Sequence, residues 1–340
     1  MRPRARRHRE GLLPMTFTAN PHYRPDAVPP PAGAEVQEFH RSLPGYRPSP
    51  VRSVEGLLVK DESDRFGLPA FKILGASWAI ERTVRARPGT RVLVAASAGN
   101  HGRAVARVAA QRGLGCRIYL PAVTSAGRAA LIEGEGADVV RVDGDYNAAV
   151  ALAERDAGRP GAALVADTAL TPTGGPPEWV IDGYSTLFRE IEVPTDVVLV
   201  PTGVGSLAAA AVRWAVHERP GTAVIAVEPA TAACVTASIV VGRMAAVDTP
   251  GTSMAGMDCA SPSAVAWPTL LHGLSGTITV TDVQAAQAMR DLARGGLTIG
   301  DCGAATLAAW REDGEPGRSV LCVATEGASD PDAYAEALSA

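Results

Sequence analysis

At 340 residues, 46% hydrophobic and 20% charged, the chain can bury one large core or two modest ones and reads as an ordinary globular protein. A formal net charge of −4 gives no electrostatic case for a nucleic-acid or anionic-membrane partner, and no apolar run approaches the roughly 18–20 residues that span a bilayer. The five cysteines (Cys116, Cys234, Cys259, Cys302 and Cys322) are scattered, odd in number and contain no CxxC pair, which points to reduced thiols in a cytoplasmic protein rather than disulfides or a structural zinc.

The first fourteen residues carry Arg2, Arg4, Arg6, Arg7 and Arg9 without an apolar stretch, so they are no secretory signal. Residues 1–17 are expected to be a disordered tail, or an upstream extension of a chain that begins at Met15. Residues 20–54, rich in Pro and poor in periodicity, read as an irregular wrapping segment.

From residue 57 the pattern is strand, turn, helix. Leu57–Lys60 predicts a short strand, and Ile73, Ala76, Ile80 and Val84 recur at helical spacing. Val92–Ala95 predicts a buried strand, followed by a small-residue helix that stops near Gly113. Ile118–Leu120 and Val139–Val142 predict two more strands with a short helix between them, and 147–155 a helix. Val197–Pro201 is a continuous apolar run, as expected for a strand buried on both faces. A helix over 207–216, a strand over 224–227, helices from about 232, near 282–294 and 302–311, a strand over 320–323 and a C-terminal helix complete the pattern. Alternating units of this kind imply an α/β protein with mostly parallel sheets covered by helices on both faces.

Of the 32 basic residues, only Lys60 and Lys72 are lysines. An amine can lose its proton near neutral pH and form a Schiff base with a carbonyl, and a guanidinium cannot. Lys72 ends the segment Asp61-Glu62-Ser63-Asp64-Arg65-Phe66-Gly67-Leu68-Pro69-Ala70-Phe71-Lys72 and opens a helix. The positive end of that helix is expected to lower the Lys72 pKa.

Three further segments lie where open α/β sheets bind ligands, at strand ends and helix starts. Ser97-Ala98-Gly99-Asn100-His101-Gly102 is a small-residue turn whose N–H groups suit a carboxylate. Thr202-Gly203-Val204-Gly205-Ser206 suits a phosphate, but it lacks the lysine of a nucleoside-triphosphate loop and the third glycine of a dinucleotide fingerprint. Ala324-Thr325-Glu326-Gly327 puts a hydroxyl at a strand end, and taken alone is an ordinary turn.

Together these segments resemble the tryptophan synthase β-like (fold type II) family of pyridoxal-phosphate enzymes, and within it the diaminopropionate ammonia-lyases. Lys60-Asp61-Glu62-Ser63, Arg65-Phe66-Gly67, Ala70-Phe71-Lys72, Gly99-Asn100-His101-Gly102, Asp167-Thr168, Gly183-Tyr184, Gly203-Val204-Gly205-Ser206, Met254-Ala255-Gly256 and Thr325-Glu326-Gly327 with Asp330-Pro331 carry it, over residues 18–335. The resemblance implies two three-layer αβα domains with the cofactor, pyridoxal 5′-phosphate (PLP), in the cleft between them. Residues 18–88 and 186–340 would form the large PLP-binding domain, and 89–185 the smaller mobile one. It implies that Lys72 holds the cofactor as a Schiff base and takes the Cα proton, and that Asn100 meets the phenolic oxygen. Gly203, Val204, Gly205 and Ser206 would hold the phosphate and Thr325 would face the pyridine nitrogen. Ser97, Ala98, Gly99 and His101 would receive the substrate carboxylate, and Asp167 would stand near the amino leaving group as a second acid–base. A homodimer acting on a small amino acid is implied too.

The chain departs from the family pattern at three places. Ala98 stands where the lyases often have an aspartate that serves as base for the D-enantiomer, so activity on L-substrates alone is expected. Ala169-Leu170-Thr171-Pro172-Thr173-Gly174-Gly175 replaces an acidic and aromatic lining. Gly300-Asp301-Cys302-Gly303 replaces Gly-Glu-Ser-Gly, and the Cys302 thiol is expected to be structural. The reaction expected is α,β-elimination from L-2,3-diaminopropionate or a close analogue, giving pyruvate and ammonia. A β-replacement synthase, a serine or threonine dehydratase, and a PLP-binding protein without turnover are the alternatives.

Overall fold

Short apolar runs alternate with helices along the chain and build two sheets, one of seven strands and one of four. The computed structural model describes residues 17–54, 56–172, 174–313 and 317–339. The expected Arg-rich tail lies outside these residues except for Phe17, which starts a strand.

The strands are β1 (Phe17–Ala19), β2 (Val51–Val54), β3 (Leu57–Asp61), β4 (Val92–Ala96), β5 (Gly115–Pro121), β6 (Asp138–Val142), β7 (Ala162–Leu164), β8 (Val197–Pro201), β9 (Ala223–Pro229), β10 (Gly276–Val280) and β11 (Val320–Ala324). The helices are α1 (Glu35–Ser42), α2 (Lys72–Ala86), α3 (Asn100–Gln111), α4 (Ala126–Glu133), α5 (Tyr146–Ala157), α6 (Pro176–Arg189), α7 (Ser206–Glu218), α8 (Cys234–Val241), α9 (Trp267–Gly273), α10 (Asp282–Arg294), α11 (Asp301–Asp313) and α12 (Pro331–Ser339).

The larger sheet runs β1-β10-β9-β8-β11-β3-β2, parallel except for its two edge strands. The smaller runs β6-β5-β4-β7 and is parallel throughout. Strand side chains alternate between faces. Val198, Val200, Leu321 and Val323 therefore pack with Leu207–Val212 of α7 and Leu74–Ile80 of α2. Val197, Leu199, Val320 and Cys322 pack on the opposite side with Ala285, Met289 and Leu292 of α10 and Ala304–Ala309 of α11. In the smaller sheet, Leu93 and Ile118 face Ala104 and Val105 of α3, while Val94 faces Ala153 of α5. This is the expected α/β architecture with mostly parallel sheets and helices on both faces.

One expectation needs correction. The segment 20–54 is not simply irregular: it holds a 3-10 turn at Pro25–Ala27, the helix α1 and the strand β2. Helix α1 survives its Pro-rich setting because buried His40 docks it, with Nδ1 at 2.7 Å from Thr186 Oγ1 and Nε2 at 3.0 Å from the Leu74 carbonyl oxygen. The strands β7 and β10 and the helix α6 were not read from the sequence at all. The expected division at 185/186 falls inside α6, which packs against α2 and α7. Helices α2 and α6 approach closely because Gly75 and Gly183 face each other. A Cβ on Gly183 would sit 2.5 Å from the Leu74 carbonyl oxygen and 2.8 Å from Gly75 Cα.

Candidate active site

Lys72 is the first residue of α2, as expected. The loop that delivers it is stitched to the exit of β11. Glu62 N–H donates to the Ala324 carbonyl (2.9 Å), Phe71 N–H to that of Thr325 (3.2 Å), and Gly327 N–H to that of Pro69 (3.0 Å). Behind this loop lies a buried charge cluster. Arg65 Nη2 is 2.7 Å from Glu190 Oε2 and 2.5 Å from Glu62 Oε1, and Lys60 Nζ is 2.8 Å from Glu190 Oε2. The second lysine is thus one of the cations that fix the loop leading to the first.

Lys72 Nζ stands 3.0 Å from Asp167 Oδ2, and the side chains are only 23% and 17% exposed. Asp167 follows β7 in the loop before α6, and its carbonyl oxygen accepts the Ser206 hydroxyl at 3.0 Å. That bond ties the Gly-rich loop to the acid. The Tyr184 ring, on α6, has its centroid 6.0 Å from Lys72 Nζ. Its buried hydroxyl has no hydrogen-bond partner among the described residues. His101 is turned inward: Nε2 bonds the Val165 carbonyl at 2.8 Å, and the partnerless Nδ1 lies 3.9 Å from Asp167 Oδ2. Its side chain therefore backs Asp167 instead of facing the turn at Ser97.

The electrostatics correct one expectation. Burial does pull the Lys72 pKa down, but Tyr184 and Asp167 outweigh it and hold the amine above its ordinary range. Burial also pushes the Tyr184 phenol up, so at neutral pH Asp167 is the ionised partner. Burial alone would raise the Asp167 carboxyl, yet His101 and Lys72 hold it well below its usual value. The helix start does not win against a carboxylate at 3.0 Å. Without cofactor, Lys72 is an ammonium paired with Asp167.

The Gly203–Ser206 loop connects β8 to α7. Gly205 has φ +94°, in the left-handed region that favours glycine, and a Cβ there would sit 2.3 Å from Leu270 Cδ1. A Cβ on Gly203 would meet Cys259 Sγ at 2.9 Å and the Gly256 carbonyl oxygen at 3.0 Å. Asn100 opens α3 and donates to Ser329 Oγ at 3.1 Å. The Ser97-Ala98-Gly99 turn precedes it, with the Gly99 N–H at 3.4 Å from Ser97 Oγ. Thr325 follows β11, and its hydroxyl hydrogen-bonds Glu326. Asn100, Arg128, Gly256, Asp301, Cys302 and Glu326 line a cavity of about 730 Å³.

Tyr146, Cys259 and Glu326 are neighbours to which the sequence reading gave no role. Tyr146 OH lies 3.3 Å from the Ala96 carbonyl oxygen. Cys259 stands against Gly203, and burial pushes its thiol to about 12. All five cysteines are free thiols. Cys302 is buried, consistent with the structural place expected for it. The replaced lining at 169–175 is anchored by Ala169, whose N–H lies 3.2 Å from Ser263 Oγ, while Leu170 is 82% exposed. Thr173 lies outside the described residues.

Residues 43–326 match the sequence profile of a family described as pyridoxal-phosphate dependent enzymes. The chain belongs to this family. Among pyridoxal-phosphate dependent enzymes it is similar to the diaminopropionate ammonia-lyase of Salmonella typhimurium, at 33% identity over 76% of this chain and 74% of the relative. It is also 30% identical to the biosynthetic L-threonine dehydratase of Mycobacterium tuberculosis, over 72% of this chain and 58% of that one. Its fold superposes on the crystal structure of Escherichia coli diaminopropionate ammonia-lyase in complex with an aminoacrylate-PLP azomethine reaction intermediate. The TM-score is 0.87 and the identity 29%, covering 96% of this chain and 97% of the other. The family's fold type II architecture is the one expected.

The residues present fit the cofactor. Leu270 packs against Gly205, and Cys259 and Gly256 against Gly203, so no Cβ fits and the loop stays bare backbone at the start of α7, where N–H groups favour a phosphate. Lys72 pairs at 3.0 Å with Asp167, whose carbonyl oxygen accepts the hydroxyl of Ser206 from that loop.

Proposed function

We propose that the chain is a PLP-dependent ammonia-lyase that carries out α,β-elimination on a small L-amino acid, with L-2,3-diaminopropionate or a close analogue as substrate. The observation that carries this reading is the Lys72–Asp167 pair, an amine and a carboxylate 3.0 Å apart at the mouth of the glycine loop. The likeness to diaminopropionate ammonia-lyases supports the same substrate class.

PLP, when bound, supplies the electron sink that makes the Cα proton removable. In this reading Lys72 would hold it covalently, and its Nζ would take the Cα proton. Asp167, backed by His101, orients Lys72 and holds the substrate's β-amino group as an ammonium, which is a better leaving group than a neutral amine. Gly203–Ser206 would hold the phosphate, Asn100 the phenolic oxygen, and Thr325 the ring nitrogen. Ser97–Gly99 and His101 N–H line the carboxylate position. Ala98 offers no base on the opposite side, which limits the reaction to L-substrates. Cleavage breaks Cα–H and Cβ–N, and hydrolysis of the released enamine gives pyruvate and a second ammonia.

We further propose that the four-stranded sheet and its helices form the smaller, moving unit, and that the protein works as a cytoplasmic homodimer. The separate small sheet and the family resemblance support the first. No helix among the described residues is long and apolar enough to cross a membrane. Dehydratase action on L-serine or L-threonine is the second reading, favoured by the threonine dehydratase relatives and the small-residue lining at 169–175.

The test is product release from L-2,3-diaminopropionate, L-serine, L-threonine and O-acetyl-L-serine. Two ammonia per pyruvate from the diamino acid is expected; turnover of serine or threonine alone would favour the dehydratase. A Lys72→Arg variant should keep the ion pair to Asp167, lose the visible absorbance of covalently held PLP, and lose activity by at least about a thousandfold. An arginine variant that still eliminates would overturn the reading.

A further inference from the structure

Tyr184, on α6, is fully buried, and its hydroxyl has no hydrogen-bond partner among the described residues. A buried donor left unpaired is costly, and phenylalanine would fill the same space without that cost. The ring packs on the Phe71 ring, with centroids 4.8 Å apart, and lies over Gly75. A Cβ on Gly75 would sit 2.6 Å from Tyr184 Cε1 and 2.8 Å from Cζ, the carbon that bears the hydroxyl. Gly75 is three residues after Lys72 on α2, so both lie on one face of its first turn. The missing side chain at Gly75 thus admits the phenol end of the ring beside the amine, whose Nζ is 6.0 Å from the ring centroid. Other groups face the amine as well. Asp167 is the carboxylate at 3.0 Å, and His101 of α3 backs it. Cys259, in the loop before α9, and Tyr146, at the start of α5, are both raised by burial and stay neutral. Tyr146 OH lies 3.3 Å from the Ala96 carbonyl oxygen, which commits its proton. Tyr184 is left as a hydroxyl with no other bond to make. Burial lowers the Lys72 pKa, and Tyr184, then Asp167, more than offset it. Burial raises the Tyr184 phenol, and Lys72 is the first group to pull it back.

We propose that Tyr184 is a positioning residue for Lys72: its phenolic oxygen accepts one N–H of the amine beside the one that Asp167 accepts, and so leaves the third direction on Nζ for the substrate's Cα proton. The inference rests on the proposed role of Lys72 as the Cα base. Bonds to a catalytic base tighten when substrate is in place, which brings the phenolic oxygen into reach. A neutral lysine amine has two N–H bonds and one lone pair. With Asp167 and Tyr184 each accepting an N–H, the lone pair takes the remaining direction. When the Cα–H bond breaks, its proton joins that lone pair as a third N–H, and the bonding electron pair stays on the substrate. The ammonium so formed keeps both acceptors. Two acceptors stabilise it more than one does, so Tyr184 makes Lys72 the stronger base.

The experiment exploits the presence of only two lysines in the chain. Trace acetylation with acetic anhydride consumes neutral amines, so its rate at Lys72 in the full-length, cofactor-free chain reports the neutral fraction. Lys60, sealed against Glu190, is the control and should stay protected wherever the fold is kept. Tyr184→Phe keeps the ring and its contact with Phe71 and removes the second acceptor. Lys72 labelling should then rise by about tenfold, the size of one hydrogen bond to a charged group. In the PLP-loaded enzyme, kcat should fall by about tenfold with KM unchanged, and substrate deuterated at Cα should show a larger isotope effect on kcat than in wild type. A hydroxyl with a purely structural role would leave the labelling rate and the isotope effect as they are in wild type, and that result would overturn the proposal. Borohydride reduction of the loaded wild type and peptide mapping separate the two readings. Label at Lys72 with unchanged acetylation in the variant sinks the role of Tyr184 alone, and label elsewhere sinks the placement of PLP and this inference with it.

Discussion

Lys60 Nζ lies 2.8 Å from Glu190 Oε2, with the two side chains 0% and 1% exposed. Glu190 is the residue after α6, Lys60 sits in β3, and Arg65 bridges them to Glu62. Burial works against the Glu190 carboxylate, and Arg65 and Lys60 more than offset this, holding it below its usual range. Removing one member of a buried pair strands its partner's charge. Glu190→Gln leaves Lys60 and Arg65 with Glu62 alone and should cost about 3–5 kcal/mol. Lys60→Met, which leaves Glu190 paired to Arg65, should cost less. Urea unfolding of both variants checks the order.

In the proposed site, Ala98 ends in a methyl, which cannot serve as a second base. Wild type should therefore act on L-2,3-diaminopropionate and leave the D-form untouched. Ala98→Asp should gain measurable D-turnover while keeping L-turnover within about tenfold of wild type, since a repositioned general base is worth roughly 10²–10⁴-fold where it operates. Pyruvate release from the two enantiomers is the measurement. Comparable D- and L-turnover in wild type would remove Ala98 as the discriminator.

Gly205→Ala combines a left-handed backbone with a Cβ 2.3 Å from Leu270 Cδ1. Overpacking of a buried site costs about 1–3 kcal/mol. Because the strain falls on the proposed phosphate loop, PLP affinity should drop by at least about tenfold, read by titration of the cofactor-free chain. Gly221, also at positive φ but with nothing within 4 Å of its Cβ, provides the control. Gly221→Ala should leave PLP affinity unchanged.

His40 ties acid stability to the docking of α1. Burial first, then Arg65, holds its pKa down to about 4, against opposing pulls from the Leu74 carbonyl and Glu190. The unfolded chain takes up a proton near 6.5 that the folded chain refuses until about 4. Stability from the neutral ring is therefore complete above 6.5 and is lost as pH falls toward 4, by roughly 3 kcal/mol in all. His40→Gln removes the titration and keeps a donor for Leu74. Between pH 7 and pH 4 its unfolding free energy should fall by about that much less than wild type's.

The central strands and Lys72 were legible because their signals are local. Val197–Pro201 is apolar at every position, and Lys72 is one of two lysines in the chain. Strand β10 escaped because Thr277 and Thr279 break its apolar run, although Thr277 is buried and its hydroxyl lies 2.8 Å from Thr236 Oγ1. Strand β7 has only three residues, and α6 begins with two prolines that mimic a loop. Asp167 was found through resemblance alone, since nothing near it in the chain signals its pairing with a lysine 95 positions away. The raised Lys72 pKa was missed for the same reason: the helix start is local, and the opposing carboxylate arrives through the tertiary fold.

The cluster of Lys60, Arg65, Glu62 and Glu190 sums to zero charge and excludes solvent. Mobile ions screen exposed pairs such as Arg47–Asp64, whose partners are largely in water, but they cannot enter a dry, neutral quartet. The anchor of the lysine-bearing loop is therefore insensitive to ionic strength. Changes in activity with added salt then report on substrate approach or on the outer surface, and leave the placement of Lys72 unaltered.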